Sequence, residues 1–181
     1  MELTGWTLPG SAAQSGSGDG WSWTNVTNVL TDTTAYAYCD VDTRERSDII
    51  EVTNFNWTNP IPSGSTIDEV EMRFRRKCSS SGDHEDGIVR LIVGGVITGS
   101  DLRSGGSWPT TYATVDYGGA VTLWTPSLTS ADVNASNFGV AISSEDYGTG
   151  SERVSVETIW MQIGFTPPPS GPSLKEVIQY P

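Results

Sequence analysis

An antiparallel β-sandwich or jelly roll of about eight strands is the fold this 181-residue chain predicts, on three observations. Apolar and polar residues alternate in several short stretches, the pattern of strands with one face buried. Turn residues punctuate those stretches at regular intervals. Ser, Thr, Gly and aromatic residues replace the Ala, Glu, Lys and Leu that helices favour, and lysine occurs only at Lys77 and Lys175. The length suits one domain with extended arms at both ends.

Residues 1–20, with SGSGDG at 15–20, read as a flexible N-terminal arm. The sandwich domain spans 21–166 and opens on the alternating WSWTNV. In AYAYCDVD, Tyr36 and Tyr38 share one face while Ala35, Ala37 and Cys39 share the other. DIIEVTNFNW is a further strand, with Ile50, Val52 and Phe55 turned inward. Pro60 and Pro62 hold an extended approach that cannot donate to a ladder, and SGS turns the chain. The strand that follows places Ile67, Val70, Met72 and Phe74 in the core. The change of parity between Ile67 and Val70 predicts a bulge or a strand start near Asp68. Glu69, Glu71, Arg73, Arg75 and Lys77 are the polar set of this strand; the arginines suit ion pairs with neighbouring strands, and a basic binding stripe is the functional alternative.

SSSGDHEDG at 79–87 reads as a solvated acidic loop. IVRLIVGGVITGS holds two β-branched runs joined by Gly94-Gly95, the chemistry of a two-residue hairpin turn. Further strands are expected at 111–117, 120–124, 137–143 and 152–165. Between them, Thr129 and Asp132 stand at capping-box spacing, enough for one helical turn. The Pro-rich segment 167–181 leaves the sheet as a C-terminal arm.

A formal net charge of −12 opposes nucleic-acid binding. The start MELTGWTLPGSAAQ carries neither a basic segment nor an apolar run, so the expectation is no signal peptide and synthesis in the cytoplasm. No apolar window is long enough for a membrane helix. Cys39 and Cys78 are expected to stay reduced.

Few residues converge on chemistry. Asp83, His84, Glu85 and Asp86 match neither an EF-hand nor a zinc spacing. A single histidine leaves no nucleophile–base set. Asp40 and Asp42 share a strand face as glycosidase carboxylates do, and also as a solvated strand face does. The expectation is a protein that is not an enzyme and needs no cofactor or metal. Seven tryptophans allow carbohydrate stacking, with Trp21/Trp23 or Trp108 as candidates, and equally allow core packing.

Four segments in order, IPSGSTIDEVEMRFRRK (61–77), GIVRLIVGGVITGSDL (87–102), YGGAVTLWTPSLTSADVNASNFGVAIS (117–143) and ERVSVETIWMQIGF (152–165), together resemble a β-sandwich module of tailed-bacteriophage virion structural proteins. Thr122 and Thr125 depart from its acidic and glycine positions around Leu-Trp. The resemblance implies a capsid decoration (cement) protein in the virion, partnered by the major capsid protein and by itself as a homotrimer. A tail, fibre or adaptor subunit, or a carbohydrate-binding module for host glycans, is the alternative. In the arm, Leu174, Val177, Ile178 and Tyr180 supply apolar anchors for a partner, or belong to a frayed end.

Overall fold

The computed structural model describes residues 1–16, 19–80, 82–124 and 127–169. Among these residues the strands are β1 (Glu2–Leu3), β2 (Ser11–Ser15), β3 (Ala37–Val41), β4 (Ile49–Thr53), β5 (Thr66–Cys78), β6 (His84–Val93), β7 (Val96–Thr98), β8 (Ala113–Ala120), β9 (Gly139–Asp146) and β10 (Glu152–Thr166). One short helix, α1 (Ser130–Asn134), and 3₁₀ turns at Val26–Leu30 and Val121–Leu123 complete the set. Every ladder is antiparallel. One sheet runs β1-β10-β5-β8, with β3 also paired to β10; the other runs β2-β4-β9-β6-β7. The two pack as a sandwich around a core drawn from both.

Alternation explains β5. Ile67, Val70, Met72 and Phe74 are buried, each worth about 2 kcal/mol on removal from water. Between Gly164 and Phe165 the register with β10 slips, leaving Asp68 as the extra residue, where the parity change predicts the bulge. Gly94 and Gly95 both have positive φ (61° and 81°) and close the β6–β7 hairpin as a primed turn. Thr129 and Asp132 form both halves of the capping box that starts α1.

The corner after β8 turns on Gly118. A Cβ there would lie 2.2 Å from the Val70 carbonyl oxygen, the atom to which the buried Trp124 Nε1 donates at 2.7 Å. That close approach makes Gly a requirement of the YGGAVTLW segment.

Several expectations are corrected. Residues 1–20 are not a free arm throughout: β1 lies on the edge of β10, and β2 extends the second sheet through β4. Short polar strands at a sheet edge need only backbone pairing, which alternation does not reveal. WSWTNV forms isolated bridges at Trp21 and Thr24 and then a 3₁₀ turn, rather than a strand. Residues 111–124 hold one strand, β8, followed by a 3₁₀ turn instead of a second strand. The supposed loop 79–87 is strand from His84 onward, with His84 and Asp86 buried.

Asp86 shows why. Its carboxylate accepts from Arg76 Nη1, from the Tyr117 hydroxyl, from Trp108 Nε1 at 2.9 Å and from the Ser104 amide at 2.9 Å. Arg76 and Tyr117 stand on the first sheet and Asp86 on the second, so a buried ion pair ties the two layers together. Burial beside Asp86 pushes the Tyr117 hydroxyl far up, so it donates at all ordinary pH. Cys39 and Cys78 are both buried and free, as expected.

Removing one partner, by Arg76→Met or Asp86→Asn, leaves a buried charge uncompensated and should cost about 3–5 kcal/mol in urea unfolding. The double variant R76M/D86N should lose less than the sum of the single losses. Additive losses would show that the two side chains act separately.

Candidate functional site

The two outer faces of the sandwich differ in kind. Strands β2, β4, β9, β6 and β7 contain no aromatic residue. The opposite outer face, on β3, β10, β5 and β8, gathers aromatic rings and cations. Alternation in β5 sends Arg73, Arg75 and Lys77 to this face, and alternation in β3 sends Tyr38 there with Tyr36 just ahead of the strand.

Tyr38, Tyr36 and Tyr112 make a row across the sheet. Tyr36 lies 6.1 Å from Tyr38 in an edge-on contact and 6.2 Å from Tyr112. Cations interleave with the rings: Arg153 lies 4.3 Å over Tyr38, Lys77 4.6 Å over Tyr112 and 5.8 Å from Tyr36, and Arg75 5.5 Å over Tyr112. Further along β5, Arg73 stacks 4.2 Å over Trp6, beside the half-buried Trp160.

Ion pairs hold the arginines in place. Arg73 is bidentate to Asp116, directly opposite it on β8, at 2.6 and 2.9 Å. Arg153 is bidentate to Asp40 at 2.7 Å through both nitrogens, and that hydrogen bonding holds the Asp40 carboxyl below its usual range. Arg75 meets Glu157 at 2.7 Å. These are the cross-strand pairs expected from the sequence. Lys77 differs: among the described residues it makes no ion pair.

Two clefts open on this face. One, of about 240 Å³, is lined by Trp6, Asp32, Arg73, Thr114 and Trp160. The other, of about 220 Å³, is lined by Tyr36, Lys77, Ser79, Thr110, Arg153 and Ser155, among others. Ser155 Oγ and the Tyr112 hydroxyl are close enough to interact, yet neither completes a hydrogen bond of ordinary geometry. Burial pushes the Tyr112 hydroxyl up to about 12, so it remains protonated. A larger depression of about 580 Å³ between residues 63–67 and 127–131 has no charged or aromatic lining residue. It offers little chemistry for recognition.

The sugar-stacking tryptophans named from the sequence lie elsewhere. Trp23 is 4% exposed and donates to the Asp48 carbonyl at 2.6 Å, and Trp108 is 1% exposed against Asp86. Trp21 is half-buried and donates to Glu45. Asp40 is committed to Arg153, and Asp42 caps the Thr43 amide at 2.8 Å, so the two do not form a carboxylate pair. Leu174, Val177, Ile178 and Tyr180 lie outside the described residues. Tyr112 and Trp160 escaped notice because their place beside Lys77 and Arg73 depends on sheet register, whereas the Tyr36/Tyr38 face was visible as alternation.

One buried polar group lies away from this face. His84 is fully buried, 3.9 Å from Asp146, and neither ring nitrogen has a hydrogen-bond partner. Burial lowers its pKa, opposed by Asp146, Glu152 and Asp83. Among the described residues no three His, Cys, Asp or Glu side chains are placed to hold a metal ion.

No protein-family model and no curated protein matches the chain. Solved structures do. One titled as the structure and function of a family 4 carbohydrate-binding module (CBM4) is 9% identical, with a TM-score of 0.46 over 88% of this chain and 95% of that one. The CBM22-1 xylan-binding domain of Paenibacillus barcinonensis Xyn10C is 10% identical, with a TM-score of 0.39 over 91% and 87%. A family 29 carbohydrate-binding module from Piromyces equi is 11% identical, with a TM-score of 0.39 over 91% and 93%. At such identities and scores the likenesses carry no argument about a ligand.

His84 makes stability depend on pH. Because the folded chain holds it neutral, the unfolded chain binds more protons near and below the ordinary imidazole pKa of about 6.5. Its contribution is complete above that pH and is lost as pH falls. The urea midpoint should drop between pH 8 and pH 5.5, and drop less in His84→Gln. An equal drop in the variant would assign the effect to other groups.

Proposed function

We propose that this chain is a non-catalytic binding module that holds an oligosaccharide against the outer face of β3, β10, β5 and β8. The observation that carries the reading is the row of Tyr38, Tyr36 and Tyr112, continued by Trp6 and Trp160, on one outer face of the sandwich. Sugar rings offer C–H faces to aromatic rings and hydroxyls to charged side chains, and this face supplies both. Its rigidity helps. The bidentate Arg73–Asp116 and Arg153–Asp40 pairs fix planar groups beside the rings before any ligand arrives. Arg73 and Lys77, one at each cleft, are four residues apart on β5, roughly 13 Å at about 3.3 Å per residue. A short linear oligosaccharide spans that distance; a single sugar does not.

A glycan array followed by calorimetric titration tests the reading. Binding should be detected, and Tyr38→Ala or Trp160→Ala should weaken it roughly tenfold, the equivalent of about 1.4 kcal/mol. A silent array, with no change in tryptophan fluorescence on adding sugars, would remove it.

A virion role is the second reading, favoured by the four segments that resemble bacteriophage structural proteins. Those segments coincide with β5, β6–β7, the stretch from β8 to β9, and β10, which is the scaffold of the sandwich. They say nothing about which surface docks. As a head decoration protein on the major capsid protein, a homotrimer would repeat one weak contact on a symmetric lattice. Copy number in purified particles checks this: a value in step with the capsid protein is expected. A few copies, or presence only in tailed particles, would point instead to a tail, fibre or adaptor subunit.

A further inference from the structure

We propose that the cleft lined by Tyr36, Lys77 and Ser155 is a subsite for one negatively charged sugar residue, with the Lys77 ammonium receiving its carboxylate or sulfate. The proposal rests on the carbohydrate reading above and narrows it from sugars in general to anionic ones.

The argument is one of unmatched charge. Four cations stand on this face, and three are already neutralised: Arg73 by Asp116, Arg75 by Glu157 and Arg153 by Asp40. Lys77, the fourth, has no carboxylate partner among the described residues. Its ammonium is held between ring faces, at 4.6 Å from Tyr112 and 5.8 Å from Tyr36. Cation–π contacts of this kind position the group while leaving its N–H donors free for an anion. Glu152, next to the lining Arg153, is engaged by Ser79 Oγ at 2.7 Å, and this hydrogen bond lowers its pKa and keeps it occupied.

Polar groups at the floor suit a sugar as well as its charge. Ser155 is 1% exposed and lines the cleft, and its Oγ has no hydrogen bond of ordinary geometry. The Tyr112 hydroxyl is its neighbour for such a bond, so a sugar hydroxyl at the cleft floor can improve on that incomplete contact. The volume of about 220 Å³ lies below the ~300–1,000 Å³ of drug-sized pockets, which limits the cleft to about one ring with its substituent. The other cleft has Arg73 fully paired and Asp32 at its wall, so it suits a neutral residue of the same chain.

The test titrates the full chain with a neutral oligosaccharide carrying a single galacturonate residue, with the same oligomer methyl-esterified to remove its charge, and with the same oligosaccharide carrying a single sulfate in its place. The charged oligomers should bind at least tenfold more tightly than the ester, and the excess should shrink as salt rises from 50 to 500 mM. Lys77→Met should bring the charged-over-ester preference below twofold, whatever it does to ester binding itself, and Lys77→Arg should retain the preference. Preference for galacturonate over the sulfated sugar, or the reverse, identifies which anion the subsite takes. Equal binding of charged and neutral oligomers, or a preference that survives Lys77→Met, would overturn this inference and leave the carbohydrate reading standing. Binding of none of them, together with a silent glycan array, would overturn both.

Discussion

The buried Arg76–Asp86 ion pair is the contact on which the rest of the molecule leans. A carboxylate taken out of water is tolerated only when donors replace its hydration, and Asp86 receives them from four directions. Two come from the opposite sheet and two from the segment that crosses between β7 and β8. The pair therefore specifies how the layers sit and where that crossing segment runs. Further backbone bonds, Trp108 N to the His84 carbonyl at 2.7 Å and Cys78 N to the Pro109 carbonyl at 2.8 Å, extend the same anchor. Thr110 follows directly, so part of the wall of the Lys77 cleft is set by chemistry in the core behind it.

Patterns confined to neighbouring residues were legible. The alternation of β5, the bulge at Asp68, the Gly94-Gly95 turn and the Thr129/Asp132 cap each depend on a few adjacent side chains. What escaped depends on partners far away in the chain. Asp86 resembles any solvated acid until Arg76 and Tyr117 close over it. Trp23 and Trp108 look like candidate stacking platforms until their indole N–H groups find Asp48 and Asp86 inside. Tyr36 and Tyr38 were correctly placed on one face, yet a face becomes a site only when register brings Lys77 and Tyr112 across from β5 and the approach to β8. The leader was read as an arm because ELTG and SAAQS lack amphipathic alternation, although edge pairing through backbone groups requires none.

The segments that resemble virion proteins build the sandwich; most of the residues that line the aromatic face lie between or beside them. Tyr36, Tyr38, Trp6, Asp32 and Tyr112 are all outside those four stretches, whereas the strand residues Arg73, Lys77 and Trp160 are within. A fold fixed by its core can carry different recognition surfaces, because ligand choice lies with the loops and the outward positions of the strands.

Net charge constrains what this face can accept. At −12 the whole molecule repels an extended polyanion, and three of the four cations on the aromatic face are already paired. At physiological salt, however, exposed charges are screened beyond about 8 Å. A ligand with one or two isolated anionic groups feels chiefly the local field of Lys77, whereas a nucleic acid meets the unfavourable sum. On the proposed reading, the same arrangement opposes a phosphate backbone and accepts a single carboxylate or sulfate on an otherwise neutral, ring-stacked chain. Selectivity of this kind comes from placing one unpaired cation among paired ones, since a face of many free cations would not discriminate.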